Sequence, residues 1–202
     1  MKTLSKKVIK NLYYKEKLST IGIGKKLKVS PWVILRFMKR VKLPIRTFKE
    51  ANANAFNKKE LSFSIKKNLT RKEEKLKIAG IMLYWAEGGK SLGKYWSVDL
   101  ANSDSEMIKI FLKFLRQICR IDEKKLRVQL YCYANQDIEK LKEYWYKITN
   151  IPKNQFIKPY ARQDFRIEQK DRMRYGLIHI RYNDKKLLYL IEKWIRGYCD
   201  KN

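Results

Sequence analysis

One carboxylate stands apart in this chain. Glu87 closes the apolar run Ile78-Ala-Gly-Ile-Met-Leu-Tyr-Trp-Ala and is followed by Gly88, Gly89 and Lys90. Leu76, Ala79, Gly80, Leu83 and Ala86 recur at helical spacing, and the run is apolar enough that the expectation is a central helix with no side facing water. The C-terminal end of a helix carries partial negative charge, so a carboxylate is unfavourable there, and glycines alone would stop the helix. Something cationic must compensate it. Lys90 and Lys94 are close in sequence, and a divalent metal ion on the carboxylate oxygens would serve equally. The plain alternative is a helix-end glutamate neutralised by Lys90.

The other candidates are cations and aromatics on regular elements. Ser30-Pro31-Trp32 reads as a helix start, with Ser30 as N-cap and Pro31 at the first helical position, where its missing N–H costs nothing. The helix turns Val33, Ile34, Phe37, Met38 and Val41 to a core and leaves Trp32, Arg36, Lys39 and Arg40 open. Residues 126–133 alternate strictly, with Leu126, Val128, Leu130 and Cys132 on one face and Arg127, Gln129, Tyr131 and Tyr133 on the other. A strand over 176–183 sets Leu177, His179, Arg181 and Asn183 on one face, and a strand over 156–162 adds Lys158 and Arg162. Such a face suits phosphate contact, and it is also what the solvated side of an antiparallel sheet looks like. Asp99, in a strand over 95–102, runs against the charge and must pair with Arg, Lys or a cytosine amine; its role stays open.

Composition narrows the partners. The chain has 202 residues, 48 Lys+Arg against 20 Asp+Glu and a formal net charge of +28, with a pI near 10.0. Thirteen Tyr, eight Phe and five Trp exclude a disordered basic tail. The expected partner is a polyanion: nucleic acid first, an anionic membrane surface second. No apolar run approaches the roughly 20 residues that cross a bilayer. The basic start leads into helix-patterned sequence rather than a signal peptide, so the expectation is a cytoplasmic, nucleoid-associated protein with no membrane span. Cys119, Cys132 and Cys199 are odd in number and far apart, which reads as reduced, partly buried thiols.

Charge and periodicity divide the chain. Residues 1–77 hold 23 Lys+Arg against 5 Asp+Glu, and the remaining 125 hold 25 against 15. Residues 1–48 read as three short helices, with Leu4, Val8, Ile9 and Leu12 in the first, Ile21, Ile23 and Leu27 in the second, and the Ser30-Pro31 helix third. Residues 49–72 have weaker periodicity and read as a partly helical linker. Residues 73–202 read as α-β-α-β-α-β-β-α, with a helix over 105–119 capped by Ser103 or Ser105, one over 137–148 and a last one over 185–196. The fold class is α+β, an antiparallel or mixed sheet with helices packed on one face.

Two resemblances follow. The segment from Leu18 to Arg40, ending in Leu43-Pro-Ile-Arg-Thr, resembles the resolvase-type helix-turn-helix family, with Gly24 where Ala is usual and Lys28 at a turn position that is often Gly. That resemblance implies that Ser30, Trp32, Arg36, Lys39 and Arg40 lie where base-edge and phosphate contacts are made. Ile81-Met-Leu-Tyr-Trp-Ala-Glu-Gly-Gly-Lys, with Ser97-Val-Asp-Leu-Ala-Asn-Ser-Asp-Ser-Glu-Met-Ile-Lys after it, resembles the LAGLIDADG homing-endonuclease superfamily in its single-motif form. Gly80 to Gly88 would be the nonamer, Met82 falling where the family usually has its interface glycine, and Glu87 the carboxylate holding Mg²⁺. Lys158 and Gln129 would be the polar residues near the metal, and two copies would pair as a homodimer so that one carboxylate per subunit converges. Lys90, Lys94, Arg127, Tyr131, Arg162, His179 and Arg181 would join the contact with double-stranded DNA. The implied activity is Mg²⁺-dependent phosphodiester hydrolysis at a specific site. A regulator keeping this architecture without the cut is the alternative, and structured RNA is a weaker candidate ligand.

Overall fold

Serine hydroxyls set where two of the first helices begin. In the computed structural model, which describes residues 4–89, 96–163 and 173–199, α1 (Lys6–Lys10) runs into a wider π turn over Asn11–Lys15. The Ser19 and Ser30 side chains accept from Gly22 N and Trp32 N and open α2 (Thr20–Leu27) and α3 (Pro31–Arg40). Lys28 closes α2 in the left-handed region at φ 57°, and Val29 N donates to Gly24 O at 2.9 Å as the chain doubles back. A Cβ on Gly24 would lie 2.6 Å from the Val29 carbonyl oxygen, so this tight return requires glycine. Ile9, Leu12, Tyr13, Ile23, Ile34, Phe37, Met38 and Leu43 form one core. Arg46 fastens the chain beyond α3: its guanidinium donates to Leu18 O and Tyr13 O and lies 4.0 Å from the Tyr13 ring centroid.

Three residues expected inside are exposed, namely Val8, Ile21 and Val33. Each lies off the stripe that its neighbours at i+3 and i+4 spacing turn inward, and β-branched apolarity alone does not bury it. A fourth helix, α4 (Phe48–Lys58), starts at a capping box between Thr47 and Glu50 and has no buried residue. The chain divides into two compact units, 1–60 and 61–202. The stretch expected as a linker over 49–72 therefore holds α4 and then enters the second unit. Phe63 is buried there, Ser64 N and Lys66 N donate to Cys119 O and Ile118 O, and Ser62 Oγ donates to Asp184 Oδ2 at 2.6 Å.

The second unit is α+β, and its element order is the one read from the sequence. α5 (Arg71–Glu87) opens at a Thr70 and Glu73 capping box, and the Lys66 ammonium together with the Thr70 backbone N–H holds the Glu73 carboxyl down at about 2. Then come β1 (Val98–Asn102), α6 (Ser105–Lys113) continuing into a π turn over Phe114–Ile118, β2 (Leu126–Tyr133), α7 (Ile138–Thr149), β3 (Tyr160–Arg162), β4 (Leu177–Tyr182) and α8 (Lys185–Cys199). Asp104, not Ser103 or Ser105, caps α6, accepting from Glu106 N and Met107 N, where its negative charge meets the positive helix end. The strand order is β1-β4-β2-β3, antiparallel except for the parallel β2/β3 pair. Val98, Leu100, Ile178, Ile180, Tyr182, Leu126, Val128, Leu130 and Cys132 bury one face against the helices. The strand expected over 156–162 is shorter, joining β2 by an isolated bridge at Phe156 and by the three residues of β3. Tyr133, expected on the open face, is buried.

α5 is not wrapped by the fold. Gly80, Ile81 and Tyr84 are its buried residues, and a Cβ on Gly80 would fall 2.1 Å from Phe114 Cγ. Ile78 and Trp85 are 44% and 43% exposed, Ala86 is exposed, and Leu76, Ala79, Met82 and Leu83 are half-buried. The expectation of burial on every side is corrected: α6 and its neighbours cover one side, and Ile78, Met82, Trp85 and Ala86 make an apolar outward stripe. No helix among the described residues is long and apolar enough to cross a membrane.

Candidate functional site

Strand alternation puts the polar half of each strand on the sheet face away from the helices. Register then decides which of these side chains meet. Asp99 lies opposite Arg181, which lies opposite Arg127; Ala101 lies opposite His179, which lies opposite Gln129; Tyr131 lies between Leu177 and Tyr160. Asp99 resolves as the hub of this face. Its carboxylate accepts from Arg181 Nε at 2.7 Å and meets His179 Nδ1 at 2.8 Å, with 12% of the side chain exposed. Burial pushes the Asp99 carboxyl up, and the hydrogen bonds from His179 and Arg181 outweigh it, holding it below the usual aspartate range. An ionised carboxylate only accepts, so His179 Nδ1 carries the proton and Nε2 is the ring's other polar atom.

The remaining polar groups are also tied. Arg127 donates to Lys124 O and Leu126 O, and Gln129 Nε2 donates to Lys158 O at 3.2 Å. Tyr131 stands between two rings, 5.0 Å from the Tyr160 centroid and 4.6 Å from that of His179. Lys158, Tyr160 and Arg162 are exposed. The sequence offered Arg127, Gln129, Tyr131, Lys158, Arg162, His179 and Arg181 as a set; the sheet brings all but Lys158 to one face, and Lys158, just before β3, meets that face through its carbonyl. The sequence left out Tyr160 and could not place Asp99. The alternation of 158, 160 and 162 was the available signal for Tyr160; no local signal gives the β1/β4 register that pairs Asp99.

On α3 the arrangement is looser. Trp32 is 76% exposed, and Ser30, Arg36, Lys39 and Arg40 are exposed beside it. Arg40 lies 5.4 Å over the Phe37 ring, while the side chains of Arg36 and Lys39 make no hydrogen bond or ion pair among the described residues. Residues 1–60 hold 17 Lys+Arg against 3 Asp+Glu, so this helix sits in a strongly cationic unit.

Glu87 ends α5 exposed, with no hydrogen-bonding or ion-pair partner among the described residues. Gly88 caps the helix in an extended conformation and bridges to Leu100, and Gly89 N donates to Asp99 O. Lys90 and Lys94 lie outside the described residues. Gln129 and Lys158 are not beside Glu87: Gly88 adjoins β1, and β2 stands three strand spacings from that point, about 14 Å. Gln129 lies on the sheet face instead, with the Lys158 carbonyl as its acceptor. As a Mg²⁺ ligand set Glu87 is a fitting but incomplete start, an accessible hard oxygen donor whose remaining partners must be water, phosphate or another carboxylate. No group of three or more His, Cys, Asp or Glu suited to a metal occurs among the described residues. Comparison with protein-family models, with curated proteins and with solved structures finds no match to this chain.

Proposed function

We propose that this protein binds specific double-stranded DNA through a helix-turn-helix formed by α2 and α3, and that the second unit is a LAGLIDADG-like domain cutting DNA as a Mg²⁺-dependent homodimer. The observation that carries the reading is the end of α5: an exposed carboxylate without a cation partner among the described residues, on a helix whose outward stripe is apolar. Two such stripes packed together would bury Ile78, Met82, Trp85 and Ala86 and bring two Glu87 carboxylates to one joint. Met82 occupies the position where the resembled family keeps its interface glycine, so the stripe and the resemblance name the same surface. Mg²⁺ held there would polarise a scissile phosphate and lower the pKa of attacking water. Ser30, Trp32, Arg36, Lys39 and Arg40 supply groove and phosphate contacts, and Arg127, Gln129, Tyr131, Lys158, Arg162, His179 and Arg181 supply the sheet contacts.

A second reading keeps the DNA contact and drops the cut. Asp99 favours it, because this carboxylate near the Gly88 and Leu100 junction is already held by His179 and Arg181. Purified protein incubated with a genomic DNA library, with Mg²⁺ or with EDTA, separates the two when the new ends are sequenced. Recurrent Mg²⁺-dependent ends in one sequence context, lost in Glu87→Gln while binding persists, establish the endonuclease. Enriched DNA without new ends establishes the regulator, and ends that survive Glu87→Gln remove Glu87 from the chemistry.

A further inference from the structure

We propose that the β3 edge of the sheet is a stacking site for unpaired bases, so that the second unit takes single-stranded nucleic acid at Tyr160. This rests on the nucleic-acid reading and extends it to a different strand state. Four side chains, one from each strand, form a continuous series across the open face: Asp99 on β1, His179 on β4, Tyr131 on β2 and Tyr160 on β3. The ring centroids are 4.6 and 5.0 Å apart, close to the spacing of neighbouring strands, and the planes are tilted by 33° and 36°. The rings therefore stand side by side as a ladder. Its inner end is closed, since Asp99 grips His179 Nδ1, and Tyr131 has a ring on each side.

Its outer end is open among the described residues. Tyr160 has Tyr131 on one side, is 53% exposed, and belongs to the edge strand. The next position in the ladder is a place for one more flat ring. Exposed Arg162 shares a face with Tyr160 two residues along β3, and exposed Lys158 lies two residues before Tyr160, just outside the strand, so cationic side chains precede and follow that place in the chain. A π-face with cations beside it is the chemistry that recognises a base joined to phosphates. In a duplex the base faces are hidden in the stack, so only an unpaired or extruded base can extend the ladder. Asp99 acts here as a positioning residue, fixing the imidazole at the closed end.

The test is fluorescence anisotropy of the full chain against a labelled oligothymidylate of about 12 nucleotides, an abasic oligomer of equal length, and a duplex. The oligothymidylate is expected to bind about tenfold tighter than the abasic oligomer. Tyr160→Ala is expected to erase that preference, Tyr160→Phe to keep it, and duplex affinity to stay unchanged in both. Equal affinity for the two single strands, or a base preference that survives Tyr160→Ala, overturns the stacking site while duplex binding leaves the wider reading standing. Loss in Tyr160→Phe as well overturns stacking in favour of a hydroxyl contact. No binding to any of the three overturns both. An oligouridylate in parallel assigns the sugar, since tighter binding of either polymer with the same dependence on Tyr160 supports the site.

Discussion

The side chains of Arg36 and Lys39 on α3 make no hydrogen bond or ion pair among the described residues, whereas on the sheet Arg181 is held by Asp99, Arg127 by two backbone carbonyls and His179 by Asp99 and Tyr131. Both faces are basic and aromatic, yet they prepare for contact differently. Untied cations on a helix lose side-chain entropy when they bind, and they adapt to whatever phosphates and base edges the groove presents. Tied groups have lost that freedom on folding and present one fixed pattern. On the proposed reading the α3 face would serve electrostatic capture and groove reading, and the sheet face a ligand whose shape matches the ladder. Net charge alone does not distinguish the two.

Unfolding the second unit while the first stays folded would remove one face and keep the other. Gly80→Val drives a side chain into Phe114, which is fully buried in the second core, while the first core contains neither residue. We expect a loss of about 3 kcal/mol or more, the upper end for overpacking at a rigid contact. Hydrogen exchange checks it: protection falls across α5, α6 and the sheet and persists in α2 and α3. Uniform loss in both units would show that the two cores are not separate in stability.

Arg36→Ala sharpens the α3 side. It is expected to weaken binding at the specific duplex site by about 1–3 kcal/mol and to relax discrimination there. Competition with unrelated duplexes reads this directly, and an equal loss on all sequences would reassign Arg36 to phosphate.

The smallest effect concerns the tied face. The Asp99 carboxyl titrates below the usual aspartate range in the fold, so its contribution is present above about pH 4 and fades as pH falls through the lower folded value. Asp99→Asn is expected to cost about 1 kcal/mol at neutral pH, a modest value because solvent reaches the pair, and progressively less in acid. Urea unfolding at about pH 7 and about pH 3 measures the difference. Equal stability of the variant and the unaltered protein at neutral pH would mean that Asp99 does not fasten the ladder.

Much of this architecture was legible in local pattern. β2 was readable residue by residue because Leu126, Val128, Leu130 and Cys132 alternate with polar neighbours, and α3 because Ser30-Pro31 marks its start. The failures share a physical cause. Ile78, Trp85, Ile21 and Val33 are apolar yet exposed, and composition records that a side chain avoids water without recording what covers it. Asp99 was opaque for another reason, since its partners are some 80 residues away and joined only by the β1/β4 register. The candidate site followed the same rule: its members were visible one strand at a time, and the ladder that joins them was not.

The claim beneath both faces is contact with nucleic acid, and the salt dependence of duplex affinity tests it most directly. We expect log K to fall linearly and steeply with log salt concentration, with a slope corresponding to several neutralised phosphates, and the slope to become shallower by about one when Lys39 is changed to Ala. Undetectable binding at low salt, or an affinity indifferent to salt, would contradict the account.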